Sequence, residues 1–418
     1  MQNNTGEKIY YRIVFQTASA LSVGSGENRY SDSDFIRNSV GEPFIPGSSL
    51  AGIYRSFFDR NEAEYYFGAD KKEEDRAESR ILVYDAKLQD TKEGIPYRRS
   101  VRDCVALDEW KTGKDGHKFD FETVEPGVCF VTYLEQNCGP GDRDIGKELA
   151  EIWRERRIYI GRKTMRGLGS VGKATIYRRS FDLTKQPELN TWLDFDMYRE
   201  EGWTNTEFKE NDRQETGQGR MISIDFTLRQ KGGISIRRYT TKVTAGAIQP
   251  DAEQLTCIAG KDGKEVPYIP GSSWAGTFRH HMERLIPGCT QGCFGDCEKR
   301  SSIRFGESFI RDASPKVLTR NAVDRFTGGV IETALFTEKM WYGGTTVLHI
   351  ELPTDADMGL RRALAASLAD LNAGILSVGG LTSVGRGIFE GESLFIDHET
   401  VLLGDGMYEQ ILKKLEEM

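Results

Sequence analysis

No run of apolar residues in this 418-residue chain has the length of a signal peptide or of a bilayer span, and the opening MQNNTGEKIYYRIVF is polar or alternating. Cytoplasmic residence without a membrane partner is therefore the expectation. Cysteine is scarce and odd in number, seven residues, which argues against a disulfide framework. Histidine is scarcer still, with five residues. None lies where a nuclease working by general acid–base catalysis would need one, and His117 falls in a polar, solvated stretch. An excess of positive charge is also lacking: 56 Lys and Arg stand against 64 Asp and Glu, a formal charge of −8. Such a chain does not attract a polyanion by overall charge. No Gly-rich turn ends in GKS or GKT, which sets aside a nucleotide hydrolase.

What is present is a globular composition, 38% hydrophobic and 29% charged, with material for about two to three domains. The charge is segregated. KKEEDRAES (71–79), the region around 186–216 and the closing KKLEEM are acidic or mixed, whereas PYRRSVR (96–102), WRERRIYIGRKTMRG (153–167) and SIRRYTTK (235–242) are basic. A basic seam on an acidic body is one reading and ordinary surface charge is the other.

The dominant feature is an internal duplication. EPFIPGSSLAGIYRSFF (42–58) recurs as EVPYIPGSSWAGTFRHH (265–281), with Arg55 answered by Arg279. In each copy an apolar pair meets a Pro-Gly turn, and two serines precede an amphipathic helix. The serines, Ser48 and Ser49 or Ser272 and Ser273, read as N-caps, and a helix start of this kind favours an anion. The flanks repeat too. KIYYRIVFQTASALSV (8–23) and MISIDFTLRQKGGISI (221–236) alternate like strands, and a polar, Gly-bearing loop follows each. YYFGADKKEEDRAESRILVYDA (65–86) faces GCFGDCEKRSSIRFGES (292–308), and VALDEWKTG faces NAVDRFTGG with Asp108 and Asp324 in register. Finally RGLGSVGKATIY (166–177) faces GGLTSVGRGIFE (379–390), which sets Lys173 against Arg386. Each half thus runs strand, loop, helix, strand, insert, strand, helix, Gly-rich turn, strand. That order suits an α+β, ferredoxin-like unit of the split βαβ kind. The expected boundaries are 7–182 and 218–397 for the two domains, with 183–217 as linker and 398–418 as a helical tail.

With these motifs in place, each half resembles the RAMP superfamily, in particular the backbone subunits of type III CRISPR effector complexes. Two fused units look like the double backbone subunit of type III-D systems. The resemblance implies two RRM-like palms, each with an inserted β-hairpin thumb, here within 88–125 and 310–340. It implies guide RNA and complementary target RNA as ligands and other type III subunits as partners. It also implies metal-dependent endoribonuclease activity, with Mg2+ or Mn2+, from an Asp in the loop before IPGSS. Laying the family pattern on SDSDFIRN places Asp32 at the catalytic position, with Asp34 as the alternative and Arg37 as the basic residue. The same overlay on AEQLTCIAG places Gln254 there in the second half, with Glu253 and Asp251 near, so that half is expected to bind RNA and cut poorly. Arg55, Arg279, Arg166, Lys173, Arg386 and the four serines are the expected phosphate contacts. A non-catalytic scaffold is the rival reading.

Cys289, Cys293 and Cys297 recur every fourth residue in a Gly-rich loop, a donor set that suits structural Zn2+ given a fourth ligand. His281, His280 and Cys257 are the options for that ligand. The first half has no cysteine at this place, so the fold itself does not require the metal.

Overall fold

The computed structural model describes residues 6–26, 31–68, 78–89, 97–107, 113–139, 141–154, 158–205, 221–239, 250–259, 264–295 and 299–418. The chain divides into two units, Met1–Thr164 with Leu168–Gln218, and Met165–Gly167 with Gly219–Met418.

In the first unit the strand Glu7–Thr17 sends Ile9, Tyr11, Ile13 and Phe15 to one face, where they are buried, as the two-residue period of a strand requires. They meet Leu50 and Tyr54 of the helix Gly47–Arg55 and Leu149 and Trp153 of the helix Gly146–Arg154. The Phe15 and Trp153 rings lie 4.8 Å apart. A further helix, Arg60–Phe67, starts on Asp59, whose carboxylate accepts the Glu62 N–H. The sheet runs Ile81–Val83, Cys129–Cys138, Glu7–Thr17, Val171–Asp182, Thr204–Asn205, every neighbour antiparallel. Arg99–Leu107 and Gly113–Val124 pair as a separate two-stranded hairpin.

The opposite face of this sheet is also covered. Residues expected to form a linker pack on it: the helix Gln186–Leu193 and the strand Thr204–Asn205 belong to the unit. Phe195 lies 5.2 Å from Tyr10 and 5.0 Å from Phe181, and Tyr198 lies 5.1 Å from Tyr133. Trp192 donates to the Tyr10 hydroxyl at 2.9 Å, and Lys8 sits 5.2 Å from the Trp192 ring. Contacts of Trp192, Phe195 and Tyr198 with the buried sheet residues Tyr10, Phe181 and Tyr133 explain why this mostly polar stretch holds to the domain.

The second unit repeats the plan. Its sheet runs Arg304–Phe305, Thr345–Pro353, Met221–Gln230, Phe389–Ile396, Glu399–Val401, again antiparallel throughout. The helices Gly271–Leu285 and Met358–Asn372 pack Trp274, Phe278, Leu364 and Leu368 into its core. The hairpin here is Ser314–Val323 with Val330–Tyr342. The tail is part of this core: the helix Met407–Glu417 buries Met407, Ile411 and Leu415. Its last turn is tied down by Arg361, a buried guanidinium that donates to the carbonyls of Leu415, Thr354 and Ala356.

Across the second sheet, His349 Nδ1 lies 2.7 Å from Asp225 Oδ1 and Nε2 lies 3.4 Å from Glu351 Oε1, with Glu351 also paired to Arg304. Burial works against the imidazolium, but the two carboxylates outweigh it and raise the His349 pKa from 6.5 to about 9. A folded pKa above the unfolded one means stability that is complete below about pH 6.5 and lost as pH climbs through about 9. Thermal unfolding of the wild type should show this decline, and His349→Asn should flatten it; identical pH profiles for the two proteins would refute the assignment.

Candidate nucleic-acid interface

The loop before the first IPGSS turn is fastened along the outer edge of the hairpin strand Gly113–Val124. Ile36 N–H donates to the Val23 carbonyl at 2.9 Å, and Glu122 N–H donates to the Ser33 carbonyl at 3.0 Å. Phe35 is buried, and its N–H donates to Glu122 Oε2 at 3.0 Å. The buried Glu122 carboxylate also pairs with Arg37, and with Arg99 at 3.5 Å. At the head of this seam, Asp32 N–H donates to Asp120 Oδ1 at 2.7 Å and Asp120 N–H donates to Asp32 Oδ2 at 2.9 Å. Asp32 is exposed, and among the described residues its Oδ1 accepts no hydrogen bond.

Asp34 has a different role. It is 3% exposed, and its Oδ1 accepts both the N–H and the hydroxyl of Ser31, at 2.9 and 2.8 Å. It holds the turn, while Asp32 offers a carboxylate to the outside. Two cations that the sequence reading did not single out stand close by. Arg162 donates to Ser33 Oγ at 2.8 Å, and Lys163 lies 4.3 Å from the rings of both Phe119 and Phe121.

The serines of IPGSS are not N-caps. Pro46 and Pro270 occupy the cap positions, with no side-chain cap at either, and the serines fall in the first turn. Ser49 and Ser273 N–H groups donate to the Pro46 and Pro270 carbonyls, both at 2.9 Å. Asp85 takes the Gly47 N–H at 2.7 Å, so a carboxylate of the chain itself already faces the positive end of that helix. The glycine is obligatory for another reason: a Cβ on Gly47 would lie 2.2 Å from the Val83 carbonyl oxygen, and one on Gly271 2.1 Å from that of Phe305. Ser48 and Ser272 are exposed and Ser49 and Ser273 half-buried.

Of the cations expected to meet phosphate, Arg166, Lys173 and Arg279 are exposed. Arg55 donates to the Gly68 carbonyl at 2.6 Å, and Arg386 to the Tyr342 hydroxyl at 2.8 Å. The expected equivalence of Lys173 and Arg386 does not hold. Ile160 N–H meets the Gly169 carbonyl and Gly169 N–H the Ala20 carbonyl, both at 2.8 Å. In the second unit Val378 N–H meets the Gly387 carbonyl at 3.0 Å and Gly387 N–H the Gly233 carbonyl at 2.9 Å. Gly169 therefore answers Gly387, and Arg386 stands where the first unit has Leu168. The repeated GLxSVG letters are a coincidence of composition; the shared turn is TMRGLG against TSVGRG.

The overlay that placed Gln254 opposite Asp32 is corrected in the same way. Gln254 is 3% exposed; its Oε1 accepts the Ile236 N–H at 2.6 Å and its Nε2 donates to the Tyr268 carbonyl at 2.9 Å. It braces the loop from within. Leu255 N–H donates to the Ile236 carbonyl at 2.9 Å, as Ile36 does to Val23, so the equivalent of Asp32 lies earlier than the overlay put it.

At the tip of the second hairpin, Asp324 accepts the N–H groups of Phe326 and Thr327 at 2.9 and 2.7 Å. The Thr327 N–H and hydroxyl and the Phe326 N–H hold its carboxyl below the usual range. Asp324 shapes a turn that leaves Phe326 98% exposed. Its sequence counterpart, Asp108, lies outside the described residues.

For the thiols, Cys289 is buried and donates to the Met282 carbonyl at 3.5 Å, and burial pushes its pKa up. Cys293 packs against the same core, and Cys297 lies outside the described residues. His281 Nε2 lies 2.6 Å from Asp370 Oδ2, the kind of carboxylate contact that a ligating imidazole makes through its second nitrogen. His280 is exposed, and Cys257 is buried in the strand Thr256–Ala259. Among the described residues no three His, Cys, Asp or Glu side chains are grouped to hold a metal ion, and no helix is long and apolar enough to cross a membrane.

The sequence model of the RAMP superfamily matches residues 14–172 and 231–390. No curated protein matches the chain. Among solved structures, a chain of the cryo-EM structure of the Type III-B Cmr-beta bound to cognate target RNA is similar at 18% identity and a TM-score of 0.32. That likeness covers 42% of this chain and 62% of the other, so less than two thirds of the neighbour is spanned.

The two aspartates should separate in thermal unfolding. Asp34→Ala strands the buried Ser31 donors and should cost about 1–3 kcal/mol. Asp32→Asn keeps an acceptor for Asp120 N–H and should stay within about 0.5 kcal/mol of wild type; equal losses would contradict the division of roles.

Proposed function

This chain belongs to the RAMP superfamily, and from that premise we propose that it is a backbone subunit of a type III RNA-guided CRISPR complex that binds guide RNA and cleaves complementary target RNA in its first unit. Each unit is read as a ferredoxin-like palm with a hairpin thumb. The strand orders and the helices linking them support that reading, as do the hairpins Arg99–Leu107 with Gly113–Val124 and Ser314–Val323 with Val330–Tyr342. Because aromatic residues of 186–205 cover the outer sheet face of the first unit, RNA is expected on the loop and hairpin side, where Arg99, Arg162 and Lys163 lie.

The observation that carries the cleavage reading is Asp32: exposed, clamped by the Asp120 N–H, with one carboxylate oxygen free among the described residues. RNA brings its own nucleophile. The 2′-oxygen bonds to phosphorus as the bond from phosphorus to the 5′-oxygen breaks. The 2′-hydroxyl proton passes to the Asp32 carboxylate or to water, and the leaving oxygen takes a proton from water. Products are a 2′,3′-cyclic phosphate and a 5′-hydroxyl. Asp32 orients the hydroxyl, and the hairpin holds the backbone in line. A divalent cation, Mg2+ or Mn2+, would neutralise charge on the phosphate; Asp32 and the neighbouring Asp120 carboxylate are the residues that would hold it. Cys289 and Cys293, with Cys297 and His281, would hold a structural Zn2+.

In the assembled complex, Asp32→Asn should slow the cut made by the first unit about 100-fold or more with target binding intact. A wild-type complex that binds target and never cuts it would establish the non-catalytic scaffold instead. Metal analysis of the purified chain should find about one zinc per molecule, lost in Cys293→Ser; a zinc-free wild type would end that assignment.

A further inference from the structure

We infer that Asp251 is the second unit's counterpart of Asp32 and that the second unit also cuts target RNA there. This rests on the cleavage reading given above and extends it. Two independent contacts set the equivalence. The residue four positions after each aspartate, Ile36 or Leu255, donates its N–H at 2.9 Å to the carbonyl of the strand's trailing segment, Val23 or Ile236. Each aspartate also clasps the edge of a hairpin strand, Asp120 within Gly113–Val124 or Thr337 within Val330–Tyr342, at the same end of the loop. Thr337 N–H donates to Asp251 Oδ2 at 2.7 Å, and Asp251 N–H donates to the Thr337 carbonyl at 2.7 Å. In the first unit the Asp120 N–H meets Asp32 Oδ2 at 2.9 Å.

The two loops then run alike. After Asp251, the strand Ala252–Gln254 lies beside Val330–Tyr342, as Ser33 and Phe35 lie beside Glu122. Asp251 is exposed, and among the described residues its Oδ1 accepts no hydrogen bond. Gln254 in this register matches the buried Phe35, which is why its side chain is turned inward on backbone groups. The absence of an acid at 254 therefore says nothing about chemistry in the second unit.

The surroundings differ in one respect. Asp120 offers a second carboxylate beside Asp32, whereas Thr337 is buried and its hydroxyl is 3.0 Å from that of Thr319. Glu253, 4.0 Å from Lys339, is the nearest acid along the chain. The bonds made and broken are those written for Asp32: the 2′-oxygen displaces the 5′-oxygen, with Asp251 or water receiving the 2′-hydroxyl proton.

The test is a cut-site map on guide-matched target RNA, using the full chain assembled with guide RNA and its partner subunits. Wild type, Asp32→Asn, Asp251→Asn and the double variant are compared, with target binding measured in parallel. Asn retains an acceptor for the Thr337 N–H, so the loop keeps its clamp. The expected result is two cuts assignable to this chain, each ending in a 2′,3′-cyclic phosphate. Asp251→Asn removes one and Asp32→Asn the other, each by about 100-fold or more, without loss of binding. Full cutting by Asp251→Asn at every position, with one cut lost in Asp32→Asn, overturns the inference and leaves the first-unit reading standing. A wild type that makes no cut overturns both.

Discussion

A short backbone-to-carboxylate clasp between a loop and the outer edge of a hairpin is the constraint on which the candidate site depends. An aspartate in a polar loop would ordinarily sample many positions. Here the Asp120 N–H holds one oxygen of Asp32, and further along the loop Phe35 is anchored in the core and, through its N–H, on Glu122 of the hairpin. The remaining oxygen is left facing outward. Charge-assisted bonds of this type are the stronger class of hydrogen bond, and they fix direction as well as distance.

The duplication shows which parts of that arrangement the fold needs and which are free to vary. Both units keep the glycine under the IPGSS helix, where no Cβ fits. Both keep the glycine after the Thr-x-x turn; a Cβ on Gly169 or Gly387 would lie 1.9 or 1.8 Å from a carbonyl oxygen. The buried pair under the loop is not kept. Glu122 with Arg37 in one unit gives way to Lys339 with Glu253 and Glu265 in the other. An ion pair can reverse its sign where it only joins two elements, provided both partners change together.

Much of the fold was legible in the sequence because the duplicated strands alternate cleanly and Pro-Gly turns punctuate the helices. The place of the helices and the two-unit plan came from that pattern, whereas the hairpins were expected only from the family resemblance. The errors have physical causes. The serines of IPGSS look like caps by residue type, yet the proline before them already takes the cap position and Asp85, in the connection that follows the strand Ile81–Val83, takes the Gly47 N–H. Segment 183–205 is polar by count, but its aromatics cover a sheet face, a tertiary fact no local window reports. Matching letters misaligned both the Gly-rich turns and the two loops, because the second loop is longer and only hydrogen bonds reveal its register. Asp251 was for that reason named only as a neighbour of Gln254, and Asp120 was not named because its contact with Asp32 joins residues far apart in the chain.

The most direct measurement is residue-resolved hydrogen exchange at the Asp120 and Thr337 amides. Both N–H groups face a loop carboxylate rather than a paired strand partner, so their protection reports the clasp itself. Slow exchange at both sites, lost selectively at Asp120 in Asp32→Ala and at Thr337 in Asp251→Ala, is what the account predicts. Free exchange at these two amides while the sheets stay protected would mean that neither aspartate is held, and the account would be wrong.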